Sequence, residues 1–423
     1  MTDSPSPQTD KYPTDFLWGA ATAAHQVEGH TDNQWTDWER QVAPRSAVNA
    51  ERRIGTYRQW PAIKDQAVDP ANYISGALGD HYHRYNEDFD FLESMNMNAY
   101  RFSLEWSRIE PEEGEWDDEA VKHYGAYIDE LRTRNIEPVM TLLHFTLPKW
   151  FAAKGGFESS ANIPYFTRFS EKIVKALGEK VRYIITINEP EVYAFESYAL
   201  GNWPPGKRNY YQWFRVLNNQ LKAHNDVADA IHGLNAGHQV SIAKNSNYFY
   251  QDDGSKLSQL GVKVMRYLQD DYVLRKVVNT SDYLGINFYQ TQRMKGLMIA
   301  NPGEKVSDVE WEMEPELIEQ ALVRLYGLYQ KPILITENGL ADGDDDERQW
   351  WIHETVTAMN RAIEKGVDLR GYLHWSLLDN FEWAYGKWPR FGLVSMDYET
   401  GDRQLRPSAR WFGSVIRRAR GLK

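Results

Sequence analysis

Short apolar runs recur along the chain, each followed by a longer stretch in which apolar residues fall three or four positions apart. The first kind reads as strands buried on both faces, the second as amphipathic helices. Strands are predicted over residues 16–22, 98–104, 138–143, 183–188, 240–243, 282–287, 332–337 and 371–376. Helices are predicted over 81–95, from an Asp117 N-cap through Leu131, over 163–177, 211–233, near 256–276, over 315–330 and 347–365, and from about Pro407 onward. Residues 30 to about 79 sustain no period and are rich in polar residues, Gly and Pro, so a long loop is predicted, of a size that is usually functional. Strand and helix alternate eight times with no break in composition. That is the pattern of a single (β/α)₈ TIM barrel with long βα loops over residues 14–423, behind a flexible polar tail at 1–13. An open doubly wound sheet fits less well, because no Gly-rich phosphate loop follows the first strand.

Two of these strands end in a carboxylate. Ile333-Leu334-Ile335-Thr336-Glu337 runs into Asn338-Gly339, a turn pair, and Ile184-Ile185-Thr186-Ile187-Asn188-Glu189 runs into Pro190, which disfavours right-handed helical geometry at Glu189. The carboxyl ends of barrel strands face the mouth where ligands bind. Two such carboxylates converging on one pocket are what glycoside cleavage requires. The other strand ends add Gln26, Arg101, His144, Asn188, Asn287, Tyr289 and Trp375. Each has an ordinary structural role open to it, as an ion pair, turn former or packing group, but together at one end of one barrel they point to a site. The segment from Trp375 to Phe391 carries Glu382, Trp383, Tyr385 and Trp388, with aromatic faces to stack on a pyranose and a carboxylate to accept two hydroxyls.

Composition narrows the field. Of 423 residues 42% are hydrophobic and 26% charged, an ordinary globular balance that supports a large core. Net charge is −12 with no basic stripe, which argues against nucleic acid or an anionic membrane as partner. With no cysteine there is no disulfide framework, thiolate nucleophile or zinc-thiolate site, and a cytoplasmic location fits. No signal-peptide core or membrane-spanning stretch is read from the chain.

The chain resembles glycoside hydrolase family 1, the retaining β-glucosidase/β-galactosidase family, from Phe16 to about Trp411. The motifs are Phe16-Leu17-Trp18-Gly19 through Gln26-Val27-Glu28-Gly29, Thr186-Ile187-Asn188-Glu189-Pro190, Ile335-Thr336-Glu337-Asn338-Gly339 and Asn380-Phe381-Glu382-Trp383. The resemblance implies Glu189 as general acid/base and Glu337 as nucleophile, with Arg101 and Tyr289 orienting the nucleophile. It implies Gln26, His144, Asn188, Glu382 and Trp383 as holding the hydroxyls of the terminal sugar, Trp375 as the platform beneath it, and Asn287 as support on the acid/base side. It implies hydrolysis of terminal β-glucosyl, and also β-galactosyl or β-fucosyl, residues through a covalent glycosyl-enzyme. Small β-glycosides or oligosaccharides are the expected partners, with no cofactor and no metal; a homo-oligomer is compatible. Glu382 stands where relatives that cleave 6-phosphoglycosides have Ser, so unphosphorylated sugars are expected, with Lys387 a nearby cation to watch. Phe145-Thr146-Leu147-Pro148 and Gly201-Asn202-Trp203-Pro204-Pro205-Gly206 depart from the common family form, so aglycone preference does not carry over.

Three alternatives remain at this level: a transglycosidase using the same carboxylates, a non-catalytic carbohydrate-binding barrel, and a metal-dependent hydrolase built on His81-Tyr82-His83 or the Asp342 to Asp346 run.

Overall fold

The structure, a computed structural model, describes residues 7, 12–234 and 237–422. Eight parallel strands close into a barrel: β1 (Leu17–Ala21), β2 (Ala99–Ser103), β3 (Glu137–Leu143), β4 (Tyr183–Asn188), β5 (Gln239–Asn245), β6 (Leu284–Asn287), β7 (Ile333–Asn338) and β8 (Leu369–Trp375). Each pairs with its sequence neighbours, and β1 closes the ring on β8 with Leu17 opposite Gly371 and Ala21 opposite Trp375. This is the predicted fold.

Alternation along the strands separates two apolar clusters. Leu17, Ala99, Val139, Ile185, Leu334 and Leu373 fill the barrel interior with Ala21 and Ala243. Trp18, Tyr100, Phe102, Met140, Ile184 and Ile335 point outward and pack under the helices. The helix Ile163–Leu177 buries Phe166, Phe169, Ile173, Val174 and Leu177, spaced three and four apart. The helix Asp118–Thr133 starts where the Asp117 side chain accepts from the Glu119 and Ala120 amides. The last helix, Pro407–Ala419, sets Phe412 against Trp18 and Tyr372, outward-facing residues of β1 and β8. No helix of the described residues is long and apolar enough to cross a membrane.

Two expectations change. Residues 30–79 are not a loop: they hold the helices Gln34–Val48, Ala50–Ile54 and Trp60–Ala67 and a 3₁₀ turn at Pro70–Tyr73. The first starts from a reciprocal capping box between Asn33 and Thr36. Its buried face is Trp35, Thr36, Glu39, Ala43 and Ala47, so two polar groups and two alanines replace the large apolar residues that would have marked a period. The tail expected over 1–13 lies mostly outside the described residues. Of its described part, Tyr12 is buried and its hydroxyl donates to Val356 O at 2.7 Å.

Candidate active site

The two carboxylate-bearing strand ends share one local device. The register between β7 and β6 slips between Ile335 and Glu337, and that between β4 and β5 slips between Ile185 and Asn188. Bulges of this kind re-aim the following side chains, here at the barrel mouth. Glu189 then takes a left-handed backbone, φ 39° and ψ 61°, as the proline after it disfavours the right-handed helical well. Phe145 (φ 70°) and Trp383 (φ 48°) are left-handed too, so three non-glycine residues in this uncommon region border one pocket. Gly339 lies two residues beyond Glu337; a Cβ there would lie 1.7 Å from Trp375 O, so only glycine lets the chain pass β8.

The pocket has a volume of about 600 Å³. His144, Asn188, Glu189, Tyr289, Glu337, Trp375, Glu382 and Trp383 line it. Gln26, Arg101 and Asn287 are fully buried and are not among the residues that line it. Arg101 organises the floor: Nη1 donates to Glu337 Oε1 at 2.5 Å, Nη2 to Asn188 Oδ1 at 2.7 Å and Nε to Thr141 Oγ1 at 3.0 Å. Tyr289 OH donates to the other oxygen of Glu337 at 2.6 Å. Asn287 Nδ2 donates to Glu189 Oε1 at 2.7 Å, while its Oδ1 accepts from Thr336 Oγ1 at 2.7 Å, which fixes its amide.

The two carboxyls live in different fields. Burial pushes Glu337 up, and the Arg101 guanidinium and Tyr289 hydroxyl pull it back. Glu189 is equally buried but has no cation bonded to it among the described residues; burial first, then the charges of Glu337 and Glu191, push it up to about 8, against which the amides of Asn287 and Asn245 act. The guanidinium favours the charged form at Glu337, and no cation among the described residues does so at Glu189.

The sugar-facing candidates leave unpaired polar atoms. Gln26 Nε2 donates to Asn380 Oδ1 at 2.9 Å and Phe381 O at 2.8 Å, and its Oε1 has no partner among the described residues; nor have His144 Nδ1 and Glu382 Oε2. Burial, then Arg101, holds His144 neutral, and its Nε2 faces the Asn188 amide at 3.1 Å; Nε2 accepts, so Nδ1 carries the hydrogen. The His144 ring stacks between Trp375 (5.8 Å) and Trp383 (6.2 Å). Burial beside Glu337 pushes Glu382 up to about 8. Lys387 does not line the pocket; its Nζ lies 5.9 Å from the Tyr398 ring.

Several functional neighbours went unread in the sequence. Asn245, at the exit of β5, donates to Glu189 Oε1 at 3.1 Å; the strand-exit rule applied to the fifth strand one residue pair further would have found it. Lys244, fully buried, pairs with Glu191 at 3.0 Å and approaches Asp270 at 3.7 Å. Trp311 packs 5.5 Å from the Tyr289 ring and comes from a segment without period, so nothing in the pattern marked it. The residues behind the metal alternative are engaged elsewhere: His81 binds Asp88 and Tyr127, and Asp342 and Asp345 bind Arg348. No group of three or more His, Asp or Glu among the described residues is arranged to hold a metal.

A barrel with two such carboxyls at its mouth is that of a glycoside hydrolase, and the comparisons agree. The model of "Glycosyl hydrolase family 1" matches residues 8–283 and 263–420, and the chain belongs to that family, whose members are retaining glycosidases. It is 30% identical over 460 aligned residues to "Beta-glucosidase A" of Thermotoga maritima, covering 96% of this chain and 98% of that one. It is 28% identical to a "6-phospho-beta-galactosidase" of Clostridium acetobutylicum, covering 95% and 96%. Among solved structures it is similar to a "beta-glycosidase from Pyrococcus horikoshii", with a TM-score of 0.84, 32% identity and coverage of 97% and 96%.

Proposed function

We propose that this enzyme removes terminal, unphosphorylated β-glucosyl, β-galactosyl or β-fucosyl residues from O-glycosides, with Glu337 as nucleophile and Glu189 as acid/base. What carries the assignment of roles is the asymmetry of the two carboxyls: Glu337 has a guanidinium on one oxygen and a phenol on the other, whereas Glu189 has only amides, both on Oε1. In the first step ionised Glu337 attacks the anomeric carbon. The bond to the leaving oxygen breaks as Glu189 gives that oxygen its proton, leaving a glycosyl ester on Glu337. Esterification removes the charge of Glu337 that helps to raise Glu189. Glu189 then loses its proton more readily and serves as base to the water that displaces Glu337.

The glycone specificity rests on Gln26 Oε1, His144 Nδ1–H and Glu382 Oε2, buried polar atoms without partners among the described residues, beside the Trp375 ring. Sugar hydroxyls complete their hydrogen bonds, and the ring stacks on an apolar sugar face. Glu382 offers a 6-phosphate no cation, and Lys387 is turned to Tyr398.

The test is initial rates on nitrophenyl β-glucoside, β-galactoside, β-fucoside, β-mannoside, β-glucoside 6-phosphate and α-glucoside, with Glu337→Ala assayed with and without azide. Turnover confined to unphosphorylated β-glycosides, and an α-glycosyl azide from the variant, support the reading. Preference for the phosphorylated sugar removes the role of Glu382, and β-glycosyl azide from Glu337→Ala reverses the two carboxyl roles. A competing alcohol acceptor in the same assay separates hydrolysis from transglycosylation.

A further inference from the structure

A second cavity of about 260 Å³ adjoins the catalytic pocket, and Arg53, Asn202, Trp383 and Ala384 line both. Four arginines line it: Arg45, Arg52, Arg53 and Arg208. In a chain of net charge −12 such a concentration of one sign stands against the overall field. None of the four is ion-paired among the described residues. Arg53 donates to Ala384 O at 3.4 Å and Arg208 Nε to Leu200 O at 3.0 Å. These bonds anchor each guanidinium by one nitrogen and leave its other donors available. Arg45 and Arg52 have no side-chain hydrogen bond among the described residues. Of the carboxylates nearby, Glu39 is committed to the Ser75 amide and hydroxyl and to His25 at 3.3 Å, while Glu196 accepts from Asn202 Nδ2 at 2.8 Å and feels the charge of Arg53 without forming an ion pair with it.

The cavity walls are built. One is the helical region 34–54, which the barrel pattern did not call for; the other is the loop 201–208, which departs from the common family form. Trp38 lies flat against Gly206, where a Cβ would meet its ring at 2.4 Å. Asn202 N and Lys207 N bond back to Glu196 O (2.9 Å) and Ser197 O (3.0 Å), so the loop is a folded wall. That loop closes the segment that begins directly after Glu189. The acid/base must stand at the leaving oxygen, so this side of the pocket is the leaving-group side.

We propose that the arginine-lined cavity is an anion subsite for the aglycone, so that the preferred substrates are β-glycosides whose leaving group carries a carboxylate or a phosphate-like anion. The proposal rests on the reading of Glu189 and Glu337 given above. Guanidinium forks match both carboxylate and phosphate oxygens, and several unpaired ones around one space supply the field for either.

Three β-glucosides test it: those of 4-hydroxyphenylacetic acid, of its primary amide, and of 4-hydroxybenzylphosphonate, whose phenols are alike as leaving groups but differ in charge. The expected result is a kcat/KM for at least one anionic substrate roughly tenfold above the amide. This ratio should fall as salt is raised, and fall toward or below one in Arg45→Glu/Arg52→Glu. The better of the two anions identifies which group the cavity takes. A ratio near one at low salt, or a ratio that neither salt nor the double variant changes, overturns the subsite. No cleavage of any of the three, amide included, by folded enzyme counts against the glycosidase reading itself.

Discussion

Asn287 fixes which oxygen of Glu189, the proposed acid/base, is left to carry a proton. Its Nδ2 donates to Glu189 Oε1 at 2.7 Å, and Asn245 adds a second amide to the same oxygen at 3.1 Å. Oε1 is thereby the acceptor, and the acid proton belongs on Oε2. Asn287→Leu should therefore lose two things: the orientation of the acid, and one of the bonds that favour its ionised form. We expect kcat/KM on an alkyl glycoside to drop roughly 10- to 100-fold, the loss of a hydrogen bond to a charged group. We expect the alkaline limb of its pH profile to move upward. An unchanged profile would leave the oxygen assignment without support.

With Glu189 as the proposed acid and Glu337 as the proposed nucleophile, the first step needs the one protonated and the other ionised, so kcat/KM should follow a bell. Its alkaline limb belongs to Glu189 near pH 8 and its acid limb to Glu337. The two titrate as a coupled pair, and the limbs are properties of the pair. The same displacement has a stability consequence. Between the ordinary carboxyl value of 4.5 and about 8, the native state holds a proton on Glu189 that the unfolded chain has released, so stability falls as pH rises through that window. Glu189→Gln removes this loss. Its melting temperature should exceed that of the parent at pH 8, and the advantage should shrink to nothing below about pH 4.5.

Lys244 and Glu191 form a buried ion pair at 3.0 Å next to Glu189, the proposed acid/base, continued through Asp270 at 3.7 Å to Arg324 at 3.1 Å. Lys244→Met would strand the buried Glu191 carboxylate, while Asp270 keeps Arg324, and should cost about 3–5 kcal/mol. Glu191→Gln in the same chain should recover part of that loss. A denaturant-melting double-mutant cycle reads the coupling, and simple additivity would mean that the pair does not act as one unit.

The barrel was legible because parallel strands buried on both faces are written as aliphatic runs: Ile333-Leu334-Ile335 and Ile184-Ile185 leave little else to read. The residues gathered at the pocket were legible for the same reason, since a polar side chain at the end of such a run has few other places to go. What the pattern hid was held by other physics. The helix Gln34–Val48 buries Ala43, Ala47 and Glu39, too small or too polar to set a period. Arg45 and Arg52 looked like solvated charges in a loop until that helix, the one after it and the loop 201–208 closed around a common space. Asn245 reads as a turn former until Glu189 is placed beside it.

Among the described residues Arg101 is the one cation bonded to Glu337; Arg101 is fully buried, and Glu337 is buried at the pocket floor. The ion pair does not make Glu337 easier to bury than an apolar group would be; it keeps the buried carboxyl ionised. Arg101→Met deletes the cation and the bonds to Asn188 Oδ1 and Thr141 Oγ1 together. Removing one partner of a buried pair should cost about 3–5 kcal/mol in denaturant melts. In enzyme that remains folded, Glu337 should hold its proton to higher pH, so the acid limb of kcat/KM moves upward and the bell narrows. Glu337→Gln in the Arg101→Met background needs no cation and should regain part of the stability while staying inactive. Melts and pH profiles of the two variants separate these effects: a stability loss without a moved acid limb would make Arg101 only a structural strut beneath the pocket.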